Sequence, residues 1–454
     1  MTEHFPTEQF LKEELIALRE EGYEVAEPMH RLEAITGGEG AAAAGERASI
    51  YETLGDLRRR PDFAFEEPSG LEEIRAARPE GPRRLRGRLG KRFLSDRTRG
   101  AWLGRSAGCL LGKICEGMHR RAIERALRAL GAWPLSDYWP AVAELPEGLA
   151  FIGAEIPAGT EVIRYPRPDS PLLKGNITRM ARDDDMDYPI LGLHVLEACG
   201  PGFSTADVGR IWLQSLPYHC VYTAERVAYK NLVMGLEPPA TATHQNPYRE
   251  WIGAQIRADI WGWAAPGRPE QAAEYAWRDA SLSHTKNGIY GEMFFAALLA
   301  AAFVESDLHK LIEIGLSEIP RNCRLREAVL DTVAWCGADA NWEATWEKIN
   351  HKYGHYHGVH TINNAAVVLM GVLHSGGDYE KAIAIAVMGG WDTDCNGATA
   401  GAIMGAIMGS DALPAKWISP LNDRISSIVV GFSDTKISQL ARRTCAVQQL
   451  VLGR

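Results

Sequence analysis

Glycines recur at every fourth position along one predicted helix near residue 100, at Gly100, Gly104, Gly108 and Gly112. Glycine costs stability inside an isolated helix, so four glycines on one face need a compensating contact. A second helix backbone that approaches closely along this face would supply that contact. A membrane version of such a pair is not expected, because the longest apolar run, residues 294–304, is too short to span a bilayer.

Apolar residues continue at three- and four-residue spacing through most of the chain after residue 97, and strict alternation is rare. This pattern predicts an all-α fold for residues 98–454. The predicted helices cover residues 98–112, 189–199, 205–215, 291–304, 325–337, 363–374, 379–388 and 398–409.

Residues 1–97 have a different character and are interpreted as an appended helical and linker extension. Residues 8–20 have the pattern of an amphipathic helix, and the Ala- and Gly-rich residues 37–45 are predicted to form a flexible connector. Proline- and arginine-rich sequence at 79–84 then leads into the main body. We predict no separate catalytic domain in this extension.

The charge balance argues against broad binding to nucleic acid or to an anionic membrane, because the formal net charge is −9. The basic run at 83–99 is interpreted as a solvated linker or helix face. Eight scattered cysteines without a CxxC pair favour reduced thiols. Residues 1–6 lack the layout of a signal peptide, so we expect a cytoplasmic protein.

Two acidic segments contain the strongest candidates for chemistry. Asp183, Asp184 and Asp185 precede the predicted helix at 189–199, and Asp392 and Asp394 precede the one at 398–409. We expect all five carboxylates on loops, with the first helix capped by residue 187 and the second opened by residue 396 or 397.

Each acidic segment alone could be an ordinary solvated cap or turn. If the fold brings the two together, four or five carboxylates share a small volume, and their repulsion calls for a hard divalent cation. Oxygen ligands without clustered Cys or His favour Mg²⁺, Mn²⁺ or Ca²⁺ over Zn²⁺.

Histidines supply weaker candidates. Four lie close together, at His351, His355, His357 and His360. A zinc site, a substrate contact through His357 or His360, and ordinary polar packing all remain open for this cluster. His284, taken alone, is equally compatible with a structural role.

Five elements together resemble the ADP-ribosylglycohydrolase family over about residues 98–454. The family's two glycines, Asp-Thr-Asp and Gly-spaced helix are similar to residues 389–409, with Trp391 inserted. Its other elements are a Gly-rich helix ending in Glu, a Thr-Asp-Asp-Thr loop, a Gly-x-x-x-Arg element and a His before an Ala-rich helix. They are similar to residues 100–116, 183–186, 253–257 and 283–304.

The chain departs from the family pattern at several positions. Asp183 and Met186 stand where threonines are usual, and Cys395 stands where a metal-contacting threonine is usual. Cys109 replaces an aspartate found in many members, and residues 134–180 form a long insertion. The acidic residues are retained, whereas the insertion could reshape a substrate cleft.

The resemblance implies a compact, orthogonal multi-helix all-α domain with two divalent cations, Mg²⁺ or Mn²⁺, in a cleft that takes ADP-ribose. It implies Glu116, Asp185 and Asp392 as catalytic residues. The implied metal ligands are Asp183, Asp184, Asp185, Asp392, Asp394 and Cys395. The implied substrate contacts are His284, Gly253, Arg257, Asn287, Gly288 and His360.

Three functions from different classes remain open. The first is a metal-dependent hydrolase of a ribosyl glycosidic bond, acting on ADP-ribosylated protein or on a ribosylated small molecule. The second is a two-metal phosphohydrolase, and the third is a non-catalytic binding or structural member of the family. The sequence makes no prediction of the oligomeric state.

Overall fold

Helices dominate the computed structural model of the protein, which describes residues 7–38, 40–87, 89–156 and 160–453. They account for 59% of the described residues, among which two small sheets accompany them. The predicted all-α fold is therefore confirmed. Residues 1–6, on which the absence of a signal peptide was argued, lie outside the described residues.

The elements of the N-terminal part are α1 (Glu8–Glu20), α2 (Ala26–Ala34), α3 (Ala41–Thr53) and α4 (Leu71–Ala77). The body begins with α5 (Lys91–Gly112), α6 (Arg120–Ala129), β1 (Leu149–Phe151), β2 (Ile163–Tyr165), α7 (Asp184–Cys199), α8 (Thr205–Ser215), α9 (Thr223–Val233) and α10 (Ala240–Thr243). It continues with α11 (Ala258–Ala264), α12 (Pro269–Ala280), α13 (Lys286–Ala302), α14 (Leu308–Leu316), α15 (Arg324–Ala338) and α16 (Trp342–Tyr353). The last elements are α17 (Thr361–His374), α18 (Tyr379–Met388), α19 (Thr393–Met408), α20 (Ala415–Ile418), β3 (Arg424–Ser426), β4 (Asp434–Lys436) and α21 (Ile437–Leu452).

The glycine face of α5 packs against a matching glycine face of α19, and the two helices run antiparallel. A Cβ atom built on Gly104 would lie 2.2 Å from the carbonyl oxygen of Gly401, and one built on Gly401 would lie 2.1 Å from that of Gly104. Gly108 and Gly397 face each other in the same way. The predicted close approach of a second helix backbone is confirmed, and it fixes the ends of both helices relative to each other.

The eight predicted helices are present, but four of them, α5, α7, α13 and α19, begin five to seven residues earlier than expected. Asp183 is the N-cap of α7, so Asp184 and Asp185 lie in its first turn and Asp187 is not the cap. The predicted cap was wrong because Pro189 lies inside this helix and not in its first turn. Proline has no N–H for the carbonyl four residues earlier, that of Asp185, and the buried Arg105 guanidinium donates to this carbonyl instead.

Helix α19 likewise begins before residues 396 and 397. Asp392 is its N-cap, and Asn396 N–H already donates a helical hydrogen bond to the Asp392 carbonyl at 2.9 Å. The expectation that Asp394 lies on a loop was therefore wrong, because Asp394 lies in the first turn of α19. Because the aspartates of both acidic segments lie at the N-caps or in the first turns of α7 and α19, the positions of these two helices determine where the carboxylates lie.

The N-terminal part has a small apolar core of its own, formed by Leu11, Leu15, Val25, Leu32 and Ile50. The predicted connector at 37–45 is wrong from residue 41 onward, where α3 begins, and residue 39 lies outside the described residues. Four successive alanines, the strongest helix formers, outweigh the flanking glycines there.

Buried ion pairs join this part to the body. Arg249 bonds to Glu14 and Glu21, and Arg324 bonds to Glu67. Arg83, from the run predicted to be solvated, instead bonds to the buried Glu318. The division at residue 97 stays a prediction, although α5 already begins at Lys91.

The insertion at 134–180 contains little regular structure among its described residues. Strands β1 and β2 pair in parallel there, with Leu149 opposite Ile163. Trp139 is buried and donates to the carbonyl of Leu111 at 3.2 Å, which ties the insertion to α5.

No helix in the described part has both the length and the apolar composition to cross a membrane. All eight cysteines are free thiols.

Candidate metal centre

The N-terminal ends of α7 and α19 meet the C-terminal end of α5. Asp183 accepts a hydrogen bond from the Asp185 N–H at 3.0 Å, as an N-cap residue does. Exposed backbone N–H groups and the helix dipole favour negative charge at the start of a helix. Two such helix starts therefore place carboxylates in one region, as the sequence predicted for the two acidic segments.

Asn364 on α17 fixes the loop before α19. Its side-chain oxygen accepts from the Asp392 N–H at 3.2 Å and from the Asn396 side chain at 2.8 Å. Within the loop, Gly390 and Trp391 have φ values of 81° and 62°. This left-handed conformation is uncommon for a tryptophan, and it turns the chain sharply into Asp392.

Backbone hydrogen bonds hold the Glu116 segment beside that loop. Gly117 N–H donates to the Trp391 carbonyl at 2.8 Å, and Trp391 N–H donates to the Met118 carbonyl at 2.9 Å. The Thr393 hydroxyl donates to the carbonyl of Gly112, at the end of α5, at 2.7 Å. Glu116 is therefore positioned next to the start of α19 by its own main chain and by Trp391.

Potential metal-binding atoms form three overlapping groups, and within each group they lie within 4.8 Å of one another. Asp185 belongs to two of the groups, and so does Asp394, so the groups form one continuous row. The groups are Cys109–Asp183–Asp185, Asp185–Asp394–Cys395 and Glu116–Asp392–Asp394. Asp184 belongs to none of the three, and its role as a ligand stays a prediction.

Burial and mutual repulsion raise the pKa values of the carboxyl groups. The pKa of Asp394 lies well above its usual range because of burial and the charges of Asp183, Asp392 and Glu116. Burial, together with the charges of Asp183 and Asp392, raises the pKa of Asp185 to about 8 despite Arg105. Burial, Asp392 and Asp183 raise the pKa of Glu116 to about 7. The site therefore disfavours its own negative charge unless a cation compensates it.

Two cationic side chains compensate part of this charge. Arg105 is fully buried and bonds to Asp185 at 2.8 Å and to Asp259 at 2.8 Å. Lys113, at the end of α5, bonds to Asp183. Both cations form their ion pairs on the α7 side of the row, although the charge of Lys113 also lowers the pKa of Glu116.

The α19 side has an unsatisfied oxygen. Asp394 is only 4% exposed, and its Oδ1 has no hydrogen-bond partner among the described residues. A buried carboxylate oxygen without a partner is costly, and a hard divalent cation would satisfy it. The neighbouring oxygens of Asp392 and Glu116 complete a donor set that suits Mg²⁺ or Mn²⁺.

The two cysteines of the row are poor ligands for such a cation. Burial and the nearby aspartates raise the thiol pKa of Cys395 well above its usual range, and burial does the same for Cys109. A protonated thiol binds metal weakly, because the thiolate is the ligand. The role of Cys395 as a metal ligand stays a prediction that the electrostatics do not favour.

The predicted substrate contacts lie in separate polar networks. Arg257 is buried and bonds to Glu225 at 2.7 Å, to Asp279 at 2.5 Å and to the hydroxyl of Ser283 at 3.1 Å. A Cβ atom on Gly253 would lie 2.0 Å from the Glu225 carboxylate, so this glycine makes room for the same network. Arg257 and Gly253 therefore contribute to a buried ion-pair network, a structural role that the Gly-x-x-x-Arg motif did not indicate.

Asn287, Gly288, His284 and His360 are also buried. Asn287 donates to Glu250 at 2.9 Å, and a Cβ atom on Gly288 would lie 2.5 Å from a backbone oxygen. Burial lowers the pKa of His360 to about 3 and holds the pKa of His284 well below its usual range. His360 lies near the acidic row only through Asn364, which donates to the His360 carbonyl at 2.8 Å and accepts from the Asp392 N–H. The substrate role of all four residues stays a prediction.

The histidine cluster gains no support as a zinc site. In the described part of the chain, none of the side-chain groups able to hold a metal includes a histidine. His360 instead caps α17 and stacks on Tyr356, and His357 stacks on Trp251. These contacts favour packing within the body.

Four residues of the site were missed or undervalued in the sequence. Cys109 was noted only as a departure from a family pattern, although its place on the glycine helix could have identified it. Lys113 lies between that helix and Glu116, which was a usable signal. Arg105 and Asn364 reach the site from positions without a local motif, so only the fold reveals them.

Comparison with known proteins defines the class to which this helical body and its acidic row belong. The family model described as ADP-ribosylglycohydrolase matches residues 91–451, and the chain belongs to that family. This confirms the resemblance drawn from the five motifs. Membership supports a glycohydrolase of the ADP-ribosyl type.

Among solved structures, 35 chains match. One is described as an ADP-ribosylglycohydrolase-related protein complex; it is 18% identical, with a TM-score of 0.44, over 79% of this chain and 99% of its own. No curated protein matches this chain.

Proposed function

We propose that the protein is a metal-dependent hydrolase that cleaves the glycosidic bond between ADP-ribose and a modified group. The observation that carries this proposal is the buried Oδ1 of Asp394, which has no hydrogen-bond partner among the described residues and belongs to two of the three overlapping groups of potential metal ligands. A structural member of the family would have no reason to keep so unfavourable a row of carboxylates.

Mg²⁺ or Mn²⁺ would be held by the carboxylates of the row, with Asp392 and Asp394 as central ligands and Asp183, Asp184 and Asp185 on the α7 side. A bound divalent cation supplies positive charge that orients ribose hydroxyls and lowers the pKa of a water molecule. The sequence predicted two such ions, and the overlapping groups offer more than one position.

The protein's own carboxylates suit the cleavage of a ribosyl bond. Positive charge develops at the anomeric carbon as the bond breaks, and negative side chains stabilise that charge. Glu116 is the exposed member of its group, so it can meet a substrate that enters from solvent. Burial and the charges of Asp392 and Asp183 raise its pKa in the metal-free site, so its carboxyl group takes up a proton more readily than an ordinary glutamate does.

The proposed substrate is an ADP-ribosylated protein or a related ribosylated small molecule. We do not propose nucleic acid as a partner, because the net charge is −9. We propose the cytoplasm as the location, where reduced thiols match the eight free cysteines.

Product analysis tests this proposal. The protein is incubated with Mg²⁺ and a panel of peptides that carry ADP-ribose on arginine or serine, and with free ADP-ribose, and the products are separated by chromatography. We expect intact ADP-ribose from the peptides. AMP and ribose phosphate would instead identify the phosphohydrolase alternative, and binding without turnover would identify a non-catalytic member.

Two variants make the assay specific. Asp394→Asn removes the central carboxylate charge, and we expect it to lose activity. Asp56→Asn removes the same charge from an exposed position in the N-terminal part, and we expect it to keep activity. Equal activity of both variants would contradict the assignment of the site.

A further inference from the structure

Lys113 occupies an unusual position for a lysine beside a candidate metal centre. It is the residue directly after α5, and its ammonium bonds to Asp183, whose side chain is fully buried. Asp183 belongs to the group with Cys109 and Asp185. The lysine therefore places a positive charge at the edge of one of the three groups of potential ligands.

The row is consequently asymmetric in charge. On the α7 side, Asp183 is paired with Lys113 and Asp185 is paired with Arg105. On the α19 side, none of the three carboxylates has an ion pair with any described residue. The group formed by Glu116, Asp392 and Asp394 thus has the greater need for an added cation.

The two resident cations differ in their freedom to leave. Arg105 is 0% exposed and also bonds to Asp259 and to the carbonyls of Asp185 and Ile256, so it is locked in place. Lys113 is 24% exposed, and among the described residues its ammonium bonds to Asp183 alone. A flexible lysine with one partner and access to solvent can swing away, whereas the arginine cannot.

We propose that Lys113 serves as a resident cation that occupies the place of a metal ion beside the carboxylates of Asp183 and Asp185. The protein then binds one divalent cation tightly at the Glu116–Asp392–Asp394 group, and a second cation binds only when it displaces Lys113 from Asp183. This inference rests on the proposed function, because it assumes that the acidic row holds metal.

The test is calorimetric titration of the full chain with Mn²⁺. We expect one tight site in the wild type and a second, weaker site. In Lys113→Met, which keeps the length of the side chain and removes its charge, we expect two tight sites, with the second dissociation constant lowered by about tenfold or more. Lys310→Met, which removes the same charge from an exposed position on α14, should match the wild type.

The outcomes separate the two claims. Two equally tight sites in the wild type, unchanged in Lys113→Met, would overturn the role of Lys113 and leave the metal centre intact. No Mn²⁺ binding by any form would overturn the proposed function and this inference together. The wild-type titration gives the number of tight sites without any variant, so a folding defect in Lys113→Met would not remove the test.

Discussion

Glu116 differs from its neighbours Asp392 and Asp394 in being exposed, and its pKa lies near 7. We expect Glu116→Gln to lower turnover by about 10²–10⁴-fold, the usual contribution of a group that handles a proton. At saturating concentration the metal should remain bound, because the two aspartates keep their charges and the glutamine amide keeps an oxygen in place of the carboxylate. Steady-state rates and metal content by mass spectrometry check this.

Two results would change the assignment of Glu116. Loss of metal together with activity would make its carboxylate a necessary ligand, and full activity would make it a bystander. Gln at residue 116 preserves the size of the side chain, so neither result could be attributed to a change of shape.

Raised carboxyl pKa values predict an unusual pH dependence for the metal-free protein. Asp185 and Glu116 have folded-state pKa values of about 8 and 7, well above the values near 4 of unfolded chains. Their protonated forms therefore stabilise the fold below about pH 4, and this contribution is lost as the pH rises through 7 and 8.

Melting temperatures measured in EDTA at several pH values test this. We expect the difference between metal-loaded and metal-free protein to widen from about pH 5 to pH 8, because the cation binds the ionised carboxylates. A constant difference across that range would show that the row does not titrate there.

At the scale of elements, the close packing of α5 against α19 determines how the two sides of the site are positioned. Gly401→Ala would place a Cβ 2.1 Å from a backbone oxygen of α5, and neither helix can move without moving the site. We expect a loss of stability of about 1–3 kcal/mol or more in chemical denaturation. Gly104→Ala should behave in the same way.

Gly337→Ala is the matched control for this prediction. Gly337 lies in α15, and a Cβ built there meets nothing within 4 Å. Alanine should therefore be neutral or stabilise the fold by up to about 1 kcal/mol, because it is the better helix former. Equal effects at residues 401 and 337 would contradict the proposed close contact.

The sequence predicted the helices well and their starting points poorly. Fourfold glycine spacing was sufficient to predict that a second helix backbone packs closely on α5, because it follows directly from helix geometry, but it did not identify α19 as the partner. The start of α7 was missed because the rule that places proline in a first turn pointed to Asp187. In the structure, the Arg105 side chain donates a hydrogen bond to the Asp185 carbonyl in place of the N–H that proline lacks. This tertiary contact cannot be recognised in the local sequence.

The substrate residues show the same limit. Arg257 matched a motif, but its buried partners Glu225 and Asp279 come from distant helices. A motif identifies which residues matter, whereas only the fold decides whether they contact a ligand or one another. The acidic residues were easier to place, because aspartates just before two predicted helices mark the starts of those helices, and their role as metal ligands stays a prediction.

At the scale of the whole molecule, metal binding should increase the free energy of unfolding. A cation that binds only the assembled site at a hundredfold excess over its dissociation constant adds about 2.7 kcal/mol. We therefore expect Mg²⁺ or Mn²⁺ to raise the melting temperature in differential scanning calorimetry, and EDTA to reverse the rise. Asp392→Asn should show a much smaller rise, and an equal rise in this variant would place the cation elsewhere.

The central claim is that the row of carboxylates at the starts of α7 and α19 is a divalent-metal site. Crystals soaked in Mn²⁺ and measured for anomalous scattering locate the ion without any assumption about the substrate. We predict a strong anomalous peak between the carboxylates of Glu116, Asp392 and Asp394, and its loss in Asp394→Asn. A map without a peak at the row, from crystals that take up Mn²⁺ elsewhere or not at all, would contradict the account.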